Sequence, residues 1–132
     1  MAEHFVAVAT QDSVSDAIQS VTRHLQEHQF GVLWHLDINE KLQEKGLEPA
    51  LPFHVLEVCS APRAKQALTA NQQVGYFLPC KIVVYTDANT QGTIIGLQRP
   101  ILMTELLGDP GLEPLAREVE ELLTAAIREA AR

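Results

Sequence analysis

The sequence predicts a mixed α/β or α+β domain in which helices cover one face of a sheet. Segments with the period of a strand alternate with segments with the period of a helix, in the order β-α-β-α-β-α-β-β-α. Turn-forming residues separate these segments, and neither a linker nor a repeat interrupts the 132 residues. We therefore expect one domain over residues 1–132.

The first two predicted elements are a strand and an amphipathic helix. Glu3 to Ala9 is short and rich in apolar and β-branched residues, which is typical of a strand. The helix is expected to begin after Ser13, a favourable N-cap, and to end at Gly31, because glycine accepts a left-handed conformation. Its apolar positions recur with helical spacing at Val14, Ala17, Ile18, Val21 and Leu25.

A second strand is predicted over Val32 to Ile38, where apolar residues recur at every other position. This alternation assigns Val32, Trp34, Leu36 and Ile38 to one face of the strand, and Leu33, His35 and Asp37 to the other. We interpret Trp34 as a residue of the core. A short surface helix over Asn39 to Lys45 and a loop over Leu47 to Pro52 are expected to follow.

The second half of the chain is predicted to contain three strands, over residues 53–59, 80–86 and 93–98. The last two are joined by Asp87 to Gly92, which has the residue types of a hairpin turn. Arg63 to Ala70 is predicted as a helix with Pro62 in its first turn. Ile101 to Leu107 fits either a helical turn or a covered loop. The final helix has the longest apolar stripe, from Leu112 to Ala130.

Composition excludes several classes of protein. With 17 acidic and 10 basic side chains, the formal net charge is −7, which argues against binding to nucleic acid or to an anionic membrane. No stretch of about 20 apolar residues could form a membrane helix. Two cysteines are too few for a disulfide scaffold, and no signal peptide is visible, so we expect reduced thiols and a cytoplasmic location.

Two segments form a recognisable signature, Val55 to Pro62 (VLEVCSAP) and Leu78 to Tyr85 (LPCKIVVY). Together they resemble the bacterial and archaeal family called domain of unknown function DUF302. In that family a strand ending in Cys, a nearby Pro, a short helix and a Leu-Pro-Cys-basic-aliphatic strand follow in this order. The resemblance spans essentially the whole chain.

This chain departs from the family pattern at one point, because members often show Cys-Asn-Pro where Ser60 and Ala61 separate Cys59 from Pro62. The resemblance implies an α+β fold, a two-layer sandwich with an antiparallel-rich sheet and helices on one face, similar to the TATA-binding-protein-like folds. It also suggests self-association, and it implies no established activity.

The two cysteines are the first candidate site residues. If the strands that carry Cys59 and Cys80 are antiparallel neighbours, both sulfurs lie at the same end of the sheet; if the strands are parallel, the sulfurs lie at opposite ends. Such a pair could bind a soft metal or undergo redox chemistry. The alternative is that both are small thiols packed as apolar groups.

Other candidates are polar residues within apolar strands: His35, His54 and Glu57 could line a pocket or the rim of an interface, or simply lie on an exposed sheet face. Lys81 and Tyr85 share a strand face and could hold an anionic or planar ligand. A solvated Lys beside a packing Tyr would explain them equally well.

These observations favour a self-associating module that binds a small ligand or a partner. An apolar sheet face without helices requires a partner, and a second copy would give a two-fold dimer. The alternative is a Cys/His site for a transition metal or thiol redox chemistry, with Cys59 and Cys80 joined by His35 or His54. No catalytic constellation is visible, and the sequence assigns no cofactor.

Overall fold

The computed structural model describes residues 4–132 of the chain. The five strands are β1 (Phe5–Thr10), β2 (Gly31–Asp37), β3 (Phe53–Cys59), β4 (Cys80–Thr86) and β5 (Thr93–Gln98). The five α-helices are α1 (Val14–Glu27), α2 (Ile38–Glu44), α3 (Ala61–Ala70), α4 (Ile101–Leu107) and α5 (Glu113–Ala130). Two 3₁₀ helices, η1 (Gln72–Tyr76) and η2 (Pro110–Leu112), complete the described elements. Glu3, where the first strand was predicted to begin, lies outside the described residues.

The five strands form one sheet in the order β1-β5-β4-β3-β2, and every neighbouring pair is antiparallel. The β4–β5 hairpin closes as its residue types predict, because the Asp87 carboxylate accepts hydrogen bonds from the amides of Asn89 and Thr90. This architecture confirms the α+β sandwich class with an antiparallel sheet.

Helices α1 and α5 pack against each other and against one face of the sheet. Ser13 caps α1 by accepting a hydrogen bond from the Asp16 amide at 3.1 Å. The predicted apolar stripes of both helices point inward, and their fully buried residues include Leu25 of α1 and Leu123 and Ile127 of α5. No helix within residues 4–132 is both long enough and apolar enough to cross a bilayer.

The main core lies between these helices and the covered face of the sheet. Alternate residues of the three central strands supply the sheet side, and each is at most 1% exposed: Leu56, Val58, Ile82, Val84, Ile95 and Leu97. Neighbouring strands supply them from one face because paired residues of an antiparallel sheet point to the same side. The side chains of the opposite face, called the uncovered face below, do not belong to this core and remain partly in water, from Val55 and Val83 in the centre to Trp34 at one edge.

A second, smaller core lies beyond the end of the sheet where β3 finishes and β4 begins. It is built from the residues that α3, η1, α4, η2 and the start of α5 turn toward one another: Ala67, Val74, Met103, Leu112 and Ala116. Leu115 packs against both cores. The segment Ile101–Leu107 is thereby resolved as a helix, which ends at Gly108 in the left-handed conformation.

The predicted face assignment of β2 is wrong because the pairing of β2 with β3 shifts between Val32 and Trp34. Val32 pairs with Val58 and packs against the core, whereas Trp34 pairs with Glu57 and so lies on the uncovered face. A bulge of one residue reverses the side to which every later side chain points. Trp34 is accordingly 53% exposed and is not a core residue.

Candidate ligand-binding cleft

A cleft of about 310 Å³ lies where the sheet end meets the smaller core. Its floor is the end of β3 and the beginning of β4, and its walls come from α3, η1, α4 and α5. The volume falls at the lower end of the range for small-molecule sites. The cleft therefore lies between the two cores, at a position where the sequence brings five separate segments together.

Most of the cleft wall is apolar. Phe30 and Val119 reach it from the main core, whereas Leu78 and Met103 belong to the smaller one. The rim carries apolar groups in contact with water, since Tyr76 is 87% exposed. An apolar wall with a wet apolar rim is typical of a surface that accepts a ligand.

Polar groups gather at the junction of β3 and α3. Ser60 is only 3% exposed, and its side chain does not cap α3. Its hydroxyl oxygen instead accepts a hydrogen bond from Nη1 of Arg63 at 3.2 Å. Arg63 is held from outside by Glu118, at 3.3 Å from Nε, and its guanidinium lies 5.7 Å from the centre of the Phe30 ring. The first turn of α3 therefore presents a fixed guanidinium to the cleft.

Two more cations line the cleft from the adjoining strands. Arg99, just beyond β5, donates from Nε and Nη2 to the same oxygen of Glu120, at 3.2 and 2.9 Å. The other oxygen of Glu120 accepts from the amide of Ile101 and so ties the start of α4 to α5. Lys81, at the beginning of β4, is exposed and forms no ion pair within residues 4–132.

The two cysteines both line this cleft. Strands β3 and β4 are antiparallel neighbours, and Val58 pairs with Cys80, so Cys59 and Cys80 lie diagonally at the same end of the sheet. Burial raises the pKa of Cys59. Burial, and then the nearby charge of Cys59, raises the pKa of Cys80 to about 11. Both thiols are therefore protonated near neutral pH, which disfavours a nucleophilic role.

Four of the seven predicted site residues line the cleft, namely Cys59, Cys80, Glu57 and Lys81. Glu57 and Lys81 are cross-strand partners in the β3–β4 pairing, on the uncovered face of the sheet. The cleft therefore opens next to that face, and these two residues border both.

The two predicted histidines lie elsewhere. Nε2 of His35 and Nδ1 of His54 are 2.8 Å apart near the β2 edge of the sheet. Burial lowers the pKa of His54; the Asp37 charge opposes this shift, and His35 adds to it. Cys59 lies five positions after His54 on β3, which corresponds to roughly 17 Å of strand at about 3.3 Å per residue. The structure thus does not bring the histidines to the thiols.

A combined Cys/His centre consequently finds no support in the geometry. Within the part of the chain that the structure describes, no group of three or more His, Cys, Asp or Glu side chains is arranged to hold a metal ion. Tyr85 likewise lies four positions after Lys81 on β4, and its ring stacks on Phe53 with 5.0 Å between centroids.

The uncovered sheet face adjoins the cleft and has two contrasting parts. Most of it is apolar, built from the residues that alternate with the core positions: Phe5, Ala7, Ala9, Trp34, Leu36, Phe53, Val55, Val83, Tyr85 and Ile94. At the cleft end this face is polar, with Glu57, Lys81 and Gln98. Phe5 and Trp34 stand at the two edges and are each about half exposed, at 52% and 53%.

Sequence reasoning missed Ser60, Arg63 and Arg99 as cleft residues. A signal for the first two was present, because both signature segments supply the cleft floor: residues 58–60 from one and residues 78–81 from the other. Arg63 follows the first signature segment directly. No comparable local signal marks Arg99, whose place depends on the sheet order.

The chain is thus a small α+β sandwich with a cleft at one end of its sheet. The chain belongs to the family described as domain of unknown function DUF302, whose model matches residues 6–130. It is similar to the crystal structure of an uncharacterized conserved DUF302 protein from Bacillus stearothermophilus, with 37% identity and a TM-score of 0.92. That similarity covers 99% of this chain and 100% of the other. Among curated proteins, none matches this chain.

Proposed function

We propose that this protein is a self-associating module that binds a small molecule in the cleft between its two cores. The observation that carries the binding proposal is the composition of the cleft. An apolar wall of about 310 Å³ surrounds a few polar groups held in fixed positions, of which Ser60 and Arg63 are the best defined. Such a combination suits recognition, because the apolar wall supplies affinity and the polar groups supply orientation.

The same arrangement does not favour catalysis or thiol redox chemistry. Neither Cys59 nor Cys80 has a base at hydrogen-bond distance among the described contacts, and burial raises both thiol pKa values. The hydroxyl of Ser60 accepts from a guanidinium, which cannot act as a base. We therefore place binding ahead of the metal or redox alternative.

The experiment for binding uses 1-anilinonaphthalene-8-sulfonate, a fluorescent probe with an aromatic body, and a variant that fills the cleft. Ala64 lies on α3 and lines the cleft, whereas Ala70 lies on the same helix, is exposed and does not line it. We expect Ala64→Trp to remove a saturable part of the probe fluorescence and Ala70→Trp to leave it intact. Circular dichroism confirms that each variant is folded.

Leu106→Glu provides a second test that does not depend on filling the cleft. Leu106 is 71% exposed at the rim, so the fold should tolerate a charge there. The same charge should lower the affinity of the cleft for the probe. If both folded variants bind the probe as the wild type does, the cleft is not a ligand site and the binding proposal is wrong.

Self-association is supported by the uncovered sheet face. The chain has a net charge of −7, yet among residues 4–132 the strand residues of this face include one cation and one carboxylate, Lys81 and Glu57. Two copies can therefore approach face to face without the repulsion that the rest of the surface would impose. Around a two-fold axis, Lys81 of one copy would also be available to Glu57 of the other.

Sedimentation velocity at micromolar concentration tests self-association. We expect a dimer for the wild type and a monomer for Val55→Glu, which places a charge in the middle of the apolar rows. Trp34→Glu is a milder variant at the edge of the face, and Gln19→Glu on exposed α1 is the control that should remain dimeric. A monomeric wild type would contradict the proposal.

A further inference from the structure

We infer that the ligand of the cleft is a small amphipathic anion, a monocarboxylate with an aliphatic or aromatic body. This inference rests on the proposed binding function and adds the chemical class of the ligand. It follows from the sign of the charges in the cleft, from the way in which these charges are held, and from the separation of polar and apolar groups.

The charge of the cleft differs in sign from that of the protein. The chain carries 17 acidic and 10 basic side chains. Yet the cleft is lined by three cations, Arg63, Lys81 and Arg99, against one carboxylate, Glu57. Arg63 and Arg99 are only partly exposed, and salt screens partly enclosed charges less than charges on an open surface. Their guanidinium groups line the cleft and can therefore attract an anion there.

Two of these cations are held in position from behind. The carboxylates of Glu118 and Glu120 on α5 contact Arg63 and Arg99 at 3.3 and 2.9 Å, and neither carboxylate lines the cleft. A guanidinium has five N–H groups, and Arg63 uses its Nε and Nη1 in the bonds already described. Among the contacts of residues 4–132, Nη2 of Arg63 therefore retains its donors. The side chain is already fixed in position, which lowers the entropic cost of binding an anion.

The third cation is poised differently. Lys81 is exposed at the beginning of β4, and it forms no ion pair with any other residue of the range 4–132. Its ammonium group can therefore turn toward a ligand without breaking an ion pair within its own chain. Arg63 and Lys81 line the cleft from α3 and β4, and both cysteines line it as well.

The remainder of the wall selects the body of the ligand. Phe77 and Leu78 present apolar surface from the loop that follows η1, and Met103 presents it from α4. A bare inorganic anion would leave this surface in contact with water, whereas an alkyl chain or an aromatic ring would cover it at roughly 25 cal/mol per Å². A single carboxylate on an apolar body satisfies both parts of the cleft.

Isothermal titration with three probes of equal chain length tests this inference: octanoate, octan-1-ol and octylammonium. We expect octanoate to bind most tightly and octylammonium most weakly. Lys81→Gln and Arg63→Gln should each lower the affinity for octanoate by about tenfold, because one charge-assisted contact is lost. Neither variant should change the affinity for octan-1-ol. Glu57→Gln should raise the affinity for octanoate severalfold, because it removes a negative charge from the cleft. Lys65→Gln, on exposed α3 outside the cleft, is the matched control and should change nothing.

The outcomes separate the ligand class from the binding function. Equal affinities for octanoate and octan-1-ol, with Lys81→Gln and Arg63→Gln silent, would overturn the anionic class and leave the cleft as an apolar site. Tighter binding of octylammonium would assign the head group to Glu57 and would equally overturn it. If no probe binds, and Ala64→Trp does not affect the fluorescent sulfonate, the binding function itself is wrong.

Discussion

The two faces of the sheet are made from similar residue types but differ in how deeply these residues are buried. On the covered face Ile82 and Ile95 are completely buried beneath α1 and α5. On the uncovered face Ile94 and Val83 alternate with them along the same strands and are only half-buried. Hydrophobicity alone therefore does not separate the two faces, and what differs is the layer that lies against each.

The two faces of the sheet contribute to different properties of the molecule. The covered face carries the apolar burial that stabilises the fold, because burying an aliphatic side chain contributes about 1.5–3 kcal/mol. The uncovered face remains available for a partner, and the cleft lies at the end of the sheet where the two faces meet. Glu57 and Lys81 belong both to that face and to the cleft, so each contributes to two surfaces.

The largest expected effect comes from the same substitution made on the two faces. Ile82→Ala should lower the free energy of unfolding by about 2–5 kcal/mol, because it opens a cavity in the main core. Ile94→Ala should cost about 1 kcal/mol or less, since its side chain remains partly in water. Urea unfolding followed by circular dichroism measures both, in the Val55→Glu background, which is expected to be monomeric, so that self-association does not contribute. Equal losses would show that the faces are not different in this way.

Loss of the hydrogen bonds that link α5 to Arg99 and to the start of α4 should have the next largest effect. Glu120 accepts hydrogen bonds from Arg99 and from the amide that begins α4, so Glu120→Ala removes the partner of a cation and of a helix terminus. We expect a loss of about 1–2 kcal/mol in the same unfolding experiment. The neighbouring Glu121 is exposed, and Glu121→Ala should change stability by less than about 0.5 kcal/mol. A silent Glu120→Ala would mean that these hydrogen bonds do not hold α4.

The two thiols sharpen the comparison through their reactivity. Cys80 packs against the covered core and its pKa is raised to about 11, whereas Cys59 falls on the uncovered side of the strand pairing. Iodoacetamide at pH 8 should therefore alkylate Cys59 several times faster than Cys80, because the thiolate is the reactive form. Mass spectrometry of the proteolytic peptides measures both rates. Preferential alkylation of Cys80 would reverse the assignment of the two thiols.

The smallest expected effect concerns the histidine pair near the β2 edge. Because burial lowers the pKa of His54 from its usual 6.5, the folded state favours the neutral ring. The stability that this provides is complete above pH 6.5 and is lost as the pH falls through the lower folded pKa. In His54→Asn the melting temperature should change less between pH 7 and pH 5 than it does in the wild type. His4→Asn, at an exposed position, is the control and should keep the wild-type pH dependence. An unchanged pH profile in His54→Asn would contradict this account.

The sequence was sufficient to predict most of the elements, because period and turn chemistry are local properties. The strand from Phe53 to Cys59 and the hairpin turn that begins at Asp87 appear where they were expected. The helix Ile101–Leu107 was undecided because its seven residues are too few for a period to emerge. What stabilises it is distant in sequence, since Glu120 binds its first amide.

The faces and the site were harder to predict because they depend on contacts between distant segments. One bulge in β2 moved Trp34 to the opposite side of the sheet from Val32, and alternation cannot reveal such a shift. Cys59, Cys80, Glu57 and Lys81 were named from the sequence and do line the cleft. The arginines were missed because partners on α5 hold them in place. Arg63, for example, is bound by Glu118, which lies 55 positions later in the chain.

The most direct test of the cleft is a ¹H–¹⁵N correlation spectrum of the protein during titration with octanoate. The proposed function predicts that the largest shifts fall on amides around the cleft, namely those of Cys59, Ser60, Arg63, Lys81 and Arg99. Amides in the middle of the uncovered face, such as those of Val55 and Ile94, should move little. Shifts confined to the uncovered face, or no saturable shift at all, would contradict a ligand site between the two cores.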